Sequence, residues 1–139
     1  MSEPGGPKAP PIPSEDQIHA LVHGFYAKIR NDAELGPIFN NAIADWDPHL
    51  EKMCAFWSSL MRMSGRYHGN PMAAHLRLNA VVPTHFGRWL SLFSATAHEL
   101  FVPELASAFA GRAQTIARSL ELGLFYRHGK DKLPLGEPA

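Results

Sequence analysis

Proline is the residue that most limits how this chain can fold. Inside a helix it removes a hydrogen bond and clashes with the preceding turn, whereas the first helical turn accommodates it. The 139-residue chain carries 12 prolines, and between its two tails they stand at Pro37, Pro48, Pro71, Pro83 and Pro103. Between these points apolar side chains recur every three or four residues, the signature of a helix with one buried face. Ile18, Leu21, Val22, Phe25 and Ile29 form one such stripe, and Met53, Phe56, Trp57 and Leu60 a second. Phe86, Trp89, Leu90, Phe93 and Ala97 form a third, and Leu105, Phe109, Ile116, Leu120 and Leu124 a fourth. No segment alternates as a half-buried strand would, and no internal repeat is visible. The expected class is all-α, with about five helices.

The boundaries follow from capping chemistry. Ser14 can cap the first helix, with Glu15 and Asp16 at the positive end of its dipole, and the helix is expected to reach about Asn31. Gly36–Pro37 marks Glu34–Asn40 as a turn-rich connection. Asp47 followed by Pro48 reads as a cap and first helical position, with His49 on the inner face one turn before Met53. Residues 64–70 read as a loop. Asn70–Pro71 repeats the cap–proline pattern and opens a short helix holding Met72, His75 and Leu76. Pro83 opens a helix through Phe101. Pro103 opens the last, expected to end near Tyr126, ahead of His128–Gly129. The implied organisation is a disordered tail over 1–13, one folded domain over 14–128 and a short tail over 129–139.

Composition narrows the function classes. Hydrophobic residues make up 45% and charged residues 19%, and the formal net charge is zero. That balance suits one globular core and argues against a nucleic-acid binder working through a broad basic surface. No stretch approaches the roughly 20 apolar residues of a membrane span. The Pro- and Gly-rich start lacks the apolar centre of a signal peptide. Cys54 is the single cysteine, so neither an internal disulfide nor a Cys-based zinc site can form. A reduced, cytoplasmic protein is expected, with Cys54 as a small core residue in an apolar helical stretch.

Eight histidines remain to be placed. His19 and His23, four apart on the first helix, have a spacing that can bind a metal, but no third ligand accompanies them at a useful spacing, and surface or boundary positions account for them as well. His75 sits between two loops among Met72, Ala73, Ala74 and Leu76. Neutral imidazole is a good iron ligand, although a lone histidine in such a setting also serves as plain core. Tyr26, His49 and Trp89 bring three polar heads from three helices, each of which could equally be filling core.

The Phe25–Tyr26 pair, the Leu35–Asn40 segment, and His49 with Trp57 eight residues on form an ordered set. Tyr67–His68–Gly69–Asn70–Pro71 leading to His75, then His85–Phe86 and Trp89–Leu90, complete it. Together, over Ile18 to Leu124, these features resemble the third group of the truncated haemoglobin family. The resemblance implies a globin-like fold, a reduced 2-on-2 helical sandwich around a haem. It implies His75 as the proximal iron ligand and Tyr26, His49 and Trp89 as the distal polar set. Met53 would face the distal pocket, where this group usually has Leu or Ile. Phe25, Phe39, Met72, Leu76 and Phe86 would line the haem. Tyr67 and Arg62 are the favoured partners of its propionates, with Arg66, His68 and Arg77 also in range. No Cys-x-x-Cys-His motif is present, so the haem would be b-type, held without covalent attachment.

The function implied is binding of diatomic gases (O2, CO or NO), with Tyr26 and Trp89 as hydrogen-bond donors to the bound molecule. His49 could donate, swing out as a gate, or bind the iron when no ligand is present. A second reading is redox enzymology, peroxide reduction or nitric oxide dioxygenation. It would need an external reductant such as a reductase, because no flavin or nicotinamide fingerprint is present. A third is a haem-free helical sensor or interaction module.

Overall fold

The computed structural model describes residues 11–69 and 83–132, with side chains up to residue 123. The short helix expected after Asn70–Pro71, with Met72, His75 and Leu76, lies outside the described residues. Among those described there are five helices and no strand: α1 (Glu15–Asn31), α2 (Leu35–Ala42), α3 (Trp46–Arg62), α4 (Pro83–Leu100) and α5 (Pro103–Lys132). No described helix is long and apolar enough to cross a membrane.

Local chemistry accounts for most of the helix starts. The Ser14 hydroxyl accepts from the Gln17 amide at 3.1 Å, while the Gln17 side chain accepts from the Ser14 amide at 2.8 Å. This reciprocal capping box satisfies two amides that lack a helical partner. Pro83 and Pro103 each occupy the first position of their helices, as expected.

Two boundaries differ from expectation for a shared reason. Residues 35–42 are helical rather than a turn-rich connection, and α3 begins at Trp46 with Asp45 as its cap, not at Asp47–Pro48. In both cases the proline is the third helical residue. Amides of the first turn have no intrahelical acceptor, so a proline there removes nothing. In α2 the turn is further secured by Asp32, whose carboxylate accepts from the amides of Glu34 at 3.0 Å and Leu35 at 2.9 Å. The last helix also overruns its expected end, continuing through Gly129 to Lys132. A single glycine weakens a helix by only about 1 kcal/mol and need not end it.

The helices pack as two pairs. α1 lies on α3, α5 lies on α4, and α1 joins the pairs through α4, with α2 held against α1. At the centre is a set of aromatic rings. Trp57 of α3 stacks on Phe93 of α4 with centroids 4.9 Å apart, and Phe93 stacks on Trp89 at 5.6 Å. Phe25 of α1 meets Trp89 and Phe93 edge-on at 5.4 and 5.1 Å. Phe109 of α5 closes the set against Trp57 at 5.8 Å. Phe25, Phe93 and Phe109 are fully buried. Each such ring adds about 2–3 kcal/mol by leaving water, and aromatic pairing adds about 0.5–1.5 kcal/mol more.

Polar ties hold the periphery. Arg88 of α4 engages Asp32 at 2.7–2.9 Å, and this guanidinium is the main reason the Asp32 carboxyl is pulled down to about 2. Lys28 pairs with Glu99 at 2.8 Å. Glu15 accepts from the buried Ser58 hydroxyl at 2.7 Å and from Arg66 at 2.6 Å, tying the start of α1 to the end of α3.

Gly36 sets how closely α2 approaches α1. A Cβ at this position would sit 2.8 Å from the Arg30 carbonyl oxygen. The obstacle is helix backbone, which cannot move aside as a side-chain tip would. Gly36→Ala is therefore expected to destabilise the fold despite alanine's better helix propensity, by about 1–3 kcal/mol from overpacking. A shift in the urea midpoint checks this, and an unchanged or higher midpoint would show that the approach is looser than the contact implies.

Candidate functional site

Tyr26 is the centre of the site. It lies on the α1 stripe beside Phe25, and its ring is 6% exposed. Its ring meets Phe25 at 4.9 Å, Phe39 of α2 at 6.3 Å, Trp46 of α3 at 5.8 Å and His49 of α3 at 5.3 Å. Burial drives the Tyr26 phenol well above the ordinary tyrosine range, so the hydroxyl stays protonated and remains a donor. The ring of His49 stands at 88° to that of Tyr26, and its Nε2 is shielded from solvent.

Of the expected distal polar set, Tyr26 and His49 thus meet directly, and Phe39, expected to line the haem, meets Tyr26. Trp89 stands one ring away, reaching Tyr26 through Phe25. Met53 is half-buried and packs on the same core. Phe86 packs in a neighbouring cluster with Ala117 and Leu120 of α5, which Trp89 also touches.

The two residues expected at the haem propionates sit apart from that cluster. Tyr67 is half-buried, edge-on to Phe56 at 5.2 Å, and its amide donates to the Ser59 hydroxyl at 2.8 Å. Arg62 donates to the Pro13 carbonyl at 2.6 Å and stands 3.3 Å from Glu15. His75, Met72 and Leu76 lie outside the described residues.

Trp46 belongs to the site and was not anticipated. The available signal was its spacing, three residues before His49. Placing the start of α3 at Asp47–Pro48 put Trp46 outside the helix and hid the shared face. Its indole N–H donates to Asn40 Oδ1 at 3.1 Å, and its ring meets His49 at 5.5 Å and 90°.

A groove of about 680 Å3 runs between the first half of α1 and the start of α3, past His19, His23, Asp47, Glu51 and Cys54. The imidazoles of His19 and His23 stack at 3.9 Å on the exposed side of α1. Partial burial, then the neighbouring His19, lower the His23 pKa, while Asp47 opposes them. Among the described residues no group of three His, Cys, Asp or Glu side chains is placed to hold a metal ion. Burial raises the Cys54 thiol, so it is no activated thiolate.

With this geometry in hand, comparison with known proteins is direct. No known family profile matches the chain. A group 3 truncated hemoglobin, ctb, from Campylobacter jejuni is 34% identical over 120 residues, spanning 84% of this chain and 94% of that protein. The crystal structure of a group III truncated hemoglobin from Campylobacter jejuni superposes with a TM-score of 0.76 at 35% identity, covering 80% of this chain and 91% of that one.

Because Tyr26 is held protonated by burial, the folded chain binds that proton more tightly than the unfolded chain, whose phenol titrates near 10. The resulting stabilisation is complete below about pH 10 and is lost as pH rises beyond it. Urea midpoints should therefore fall more steeply with alkaline pH in the parent than in Tyr26→Phe. Parallel profiles would mean that the phenol is less secluded than its contacts indicate.

Proposed function

The chain belongs to the group 3 truncated haemoglobins, and on that premise we propose that it holds a b-type haem through His75 and binds O2, CO or NO beside Tyr26, His49 and Trp89. The globin role with haem follows from family membership. The observation that carries the finer reading is the geometry at Tyr26, whose ring is buried among aromatic rings and meets the His49 ring edge-on, with burial favouring the neutral phenol.

The donor set fits the group. A flat apolar macrocycle needs apolar walls, and Phe25, Phe39 and Trp89 offer them on α1, α2 and α4. A small polar ligand in a dry pocket needs few but well-placed donors, and Tyr26, His49 and Trp89 offer an O–H and ring N–H groups. Bound haem would supply the iron to which a diatomic molecule binds. The chain's own contribution is threefold. The imidazole of His75 would anchor the group from one side. The aromatic wall excludes water, which strengthens any hydrogen bond formed inside. Tyr26 donates its proton as a hydrogen bond without giving it up, because burial keeps the phenol neutral. Trp89, a donor only, would support it from α4. Tyr67, half-buried just past α3, is the better placed of the two propionate candidates, since Arg62 is engaged by Glu15 and Pro13.

The absorption spectrum of the purified chain tests the reading. An intense haem Soret band is expected, absent from His75→Ala. Colourless protein that folds equally well, or a His75→Ala variant with an unchanged spectrum, would overturn it. In the loaded protein, Tyr26→Phe should speed oxygen release about tenfold or more, the loss of one hydrogen bond to a partly charged acceptor. An unchanged release rate would remove Tyr26 as donor.

A further inference from the structure

Trp46 occupies a position that the reading above leaves unused. From solvent inward, three layers are stacked at the junction of α1, α2 and α3. The exposed Arg30 guanidinium lies over the indole, its central carbon 4.7 Å from the ring centroid. The half-buried indole comes next. Beneath it lie Tyr26 and His49, with centroids 5.8 and 5.5 Å from that of Trp46. Trp46 is also tethered, for its N–H donates to Asn40 Oδ1 at 3.1 Å. One side chain of α3 is therefore gripped by α1 through a cation–π contact and by α2 through a hydrogen bond, while it meets His49 edge-on and Tyr26 at a tilt of 53°.

We propose that Trp46 is the positioning residue of the distal face: it holds His49 against Tyr26 and closes the route from solvent to that pair. The inference rests on the reading of Tyr26 and His49 as the distal set. Its physical basis is steric and local. Trp46 is the first residue of α3 and His49 the fourth, so the two rings share one helical face a turn apart. An outward swing of the imidazole has to pass the indole. The indole yields only by giving up the Asn40 hydrogen bond and the Arg30 stacking together. The Arg30 and Asn40 contacts act on Trp46 itself, so the barrier can be altered from outside the distal pair.

Chemical accessibility of His49 tests this without relying on function. The carbon monoxide-saturated protein, or the chain as purified if it carries no haem, is treated with diethyl pyrocarbonate, and carbethoxylation of His49 is followed by peptide mass spectrometry. Trp46→Ala should raise the rate at His49 about tenfold while leaving His98 unchanged, and Trp46→Phe should stay within about twofold of the parent. In parallel, CO association after flash photolysis should quicken in Trp46→Ala and not in Trp46→Phe. An His49 rate in Trp46→Ala equal to the parent's overturns the proposal. Should Trp46→Ala fail to fold by circular dichroism, Asn40→Ala replaces it: at least a threefold rise at His49 is expected, and none overturns the proposal. Colourless protein would count against the haem reading alone, since the modification rates still report on Trp46.

Discussion

The contact between Phe25 and the stacked rings of Trp89 and Phe93 is where the structure is joined. α1 meets both halves of the molecule, α3 on one side and α4 on the other, and Phe25 is its fully buried point of contact with α4. Trp57 extends the stack into α3 and Phe109 into α5. Aromatic rings suit this duty. They bury large areas with few rotatable bonds, and their edge-to-face preference fixes orientation as well as distance. A β-branched or aliphatic core could supply similar burial but would tolerate rotation of one helix against another.

The ring cluster around Tyr26 inherits its geometry from that junction. Tyr26 is the next residue after Phe25, so its ring emerges about 100° around the same helix. Once Phe25 is seated, Tyr26 faces α2 and α3 rather than α4. What meets it there depends on how closely α2 approaches, which Gly36 permits, and on where α3 begins. Asp32 contributes twice, ordering the first turn of α2 and pairing with Arg88 one residue before Trp89. Its carboxyl is held at about 2, so both contacts persist through the neutral and mildly acidic range.

The groove on α1 and the ring cluster around Tyr26 differ in kind. The groove past His19 and His23 is open, and carboxylates are prominent in its lining. The cluster around Tyr26 is walled by rings, so a hydroxyl there keeps its proton and any hydrogen bond it makes is strong. Residue type alone does not separate them, since histidines line both. Seclusion from water does, and it makes His49 part of a site while His19 and His23 remain at the surface.

The apolar repeats by themselves determined the all-α class, the burial of Phe25, Phe93 and Phe109, and the helix starts at Ser14, Pro83 and Pro103, because periodicity and capping are local. The family resemblance carried by the ordered set from Phe25–Tyr26 to Trp89–Leu90 implied Tyr26, His49 and Trp89 as one polar set; Tyr26 and His49 are in ring contact, and Phe25 stands between Tyr26 and Trp89. Tertiary structure decided the rest. Residues 35–42 are helical because a proline at the third position costs no hydrogen bond and because Asp32 and the surface of α1 hold the turn. Trp46 joins the site because α3 starts two residues before its proline and because Arg30 and Asn40, from two other helices, converge on its ring. Those partners lie 16 and 6 residues away in the chain. A contact made by three helices at once has no signature in the spacing of any one of them, and only packing brings it about.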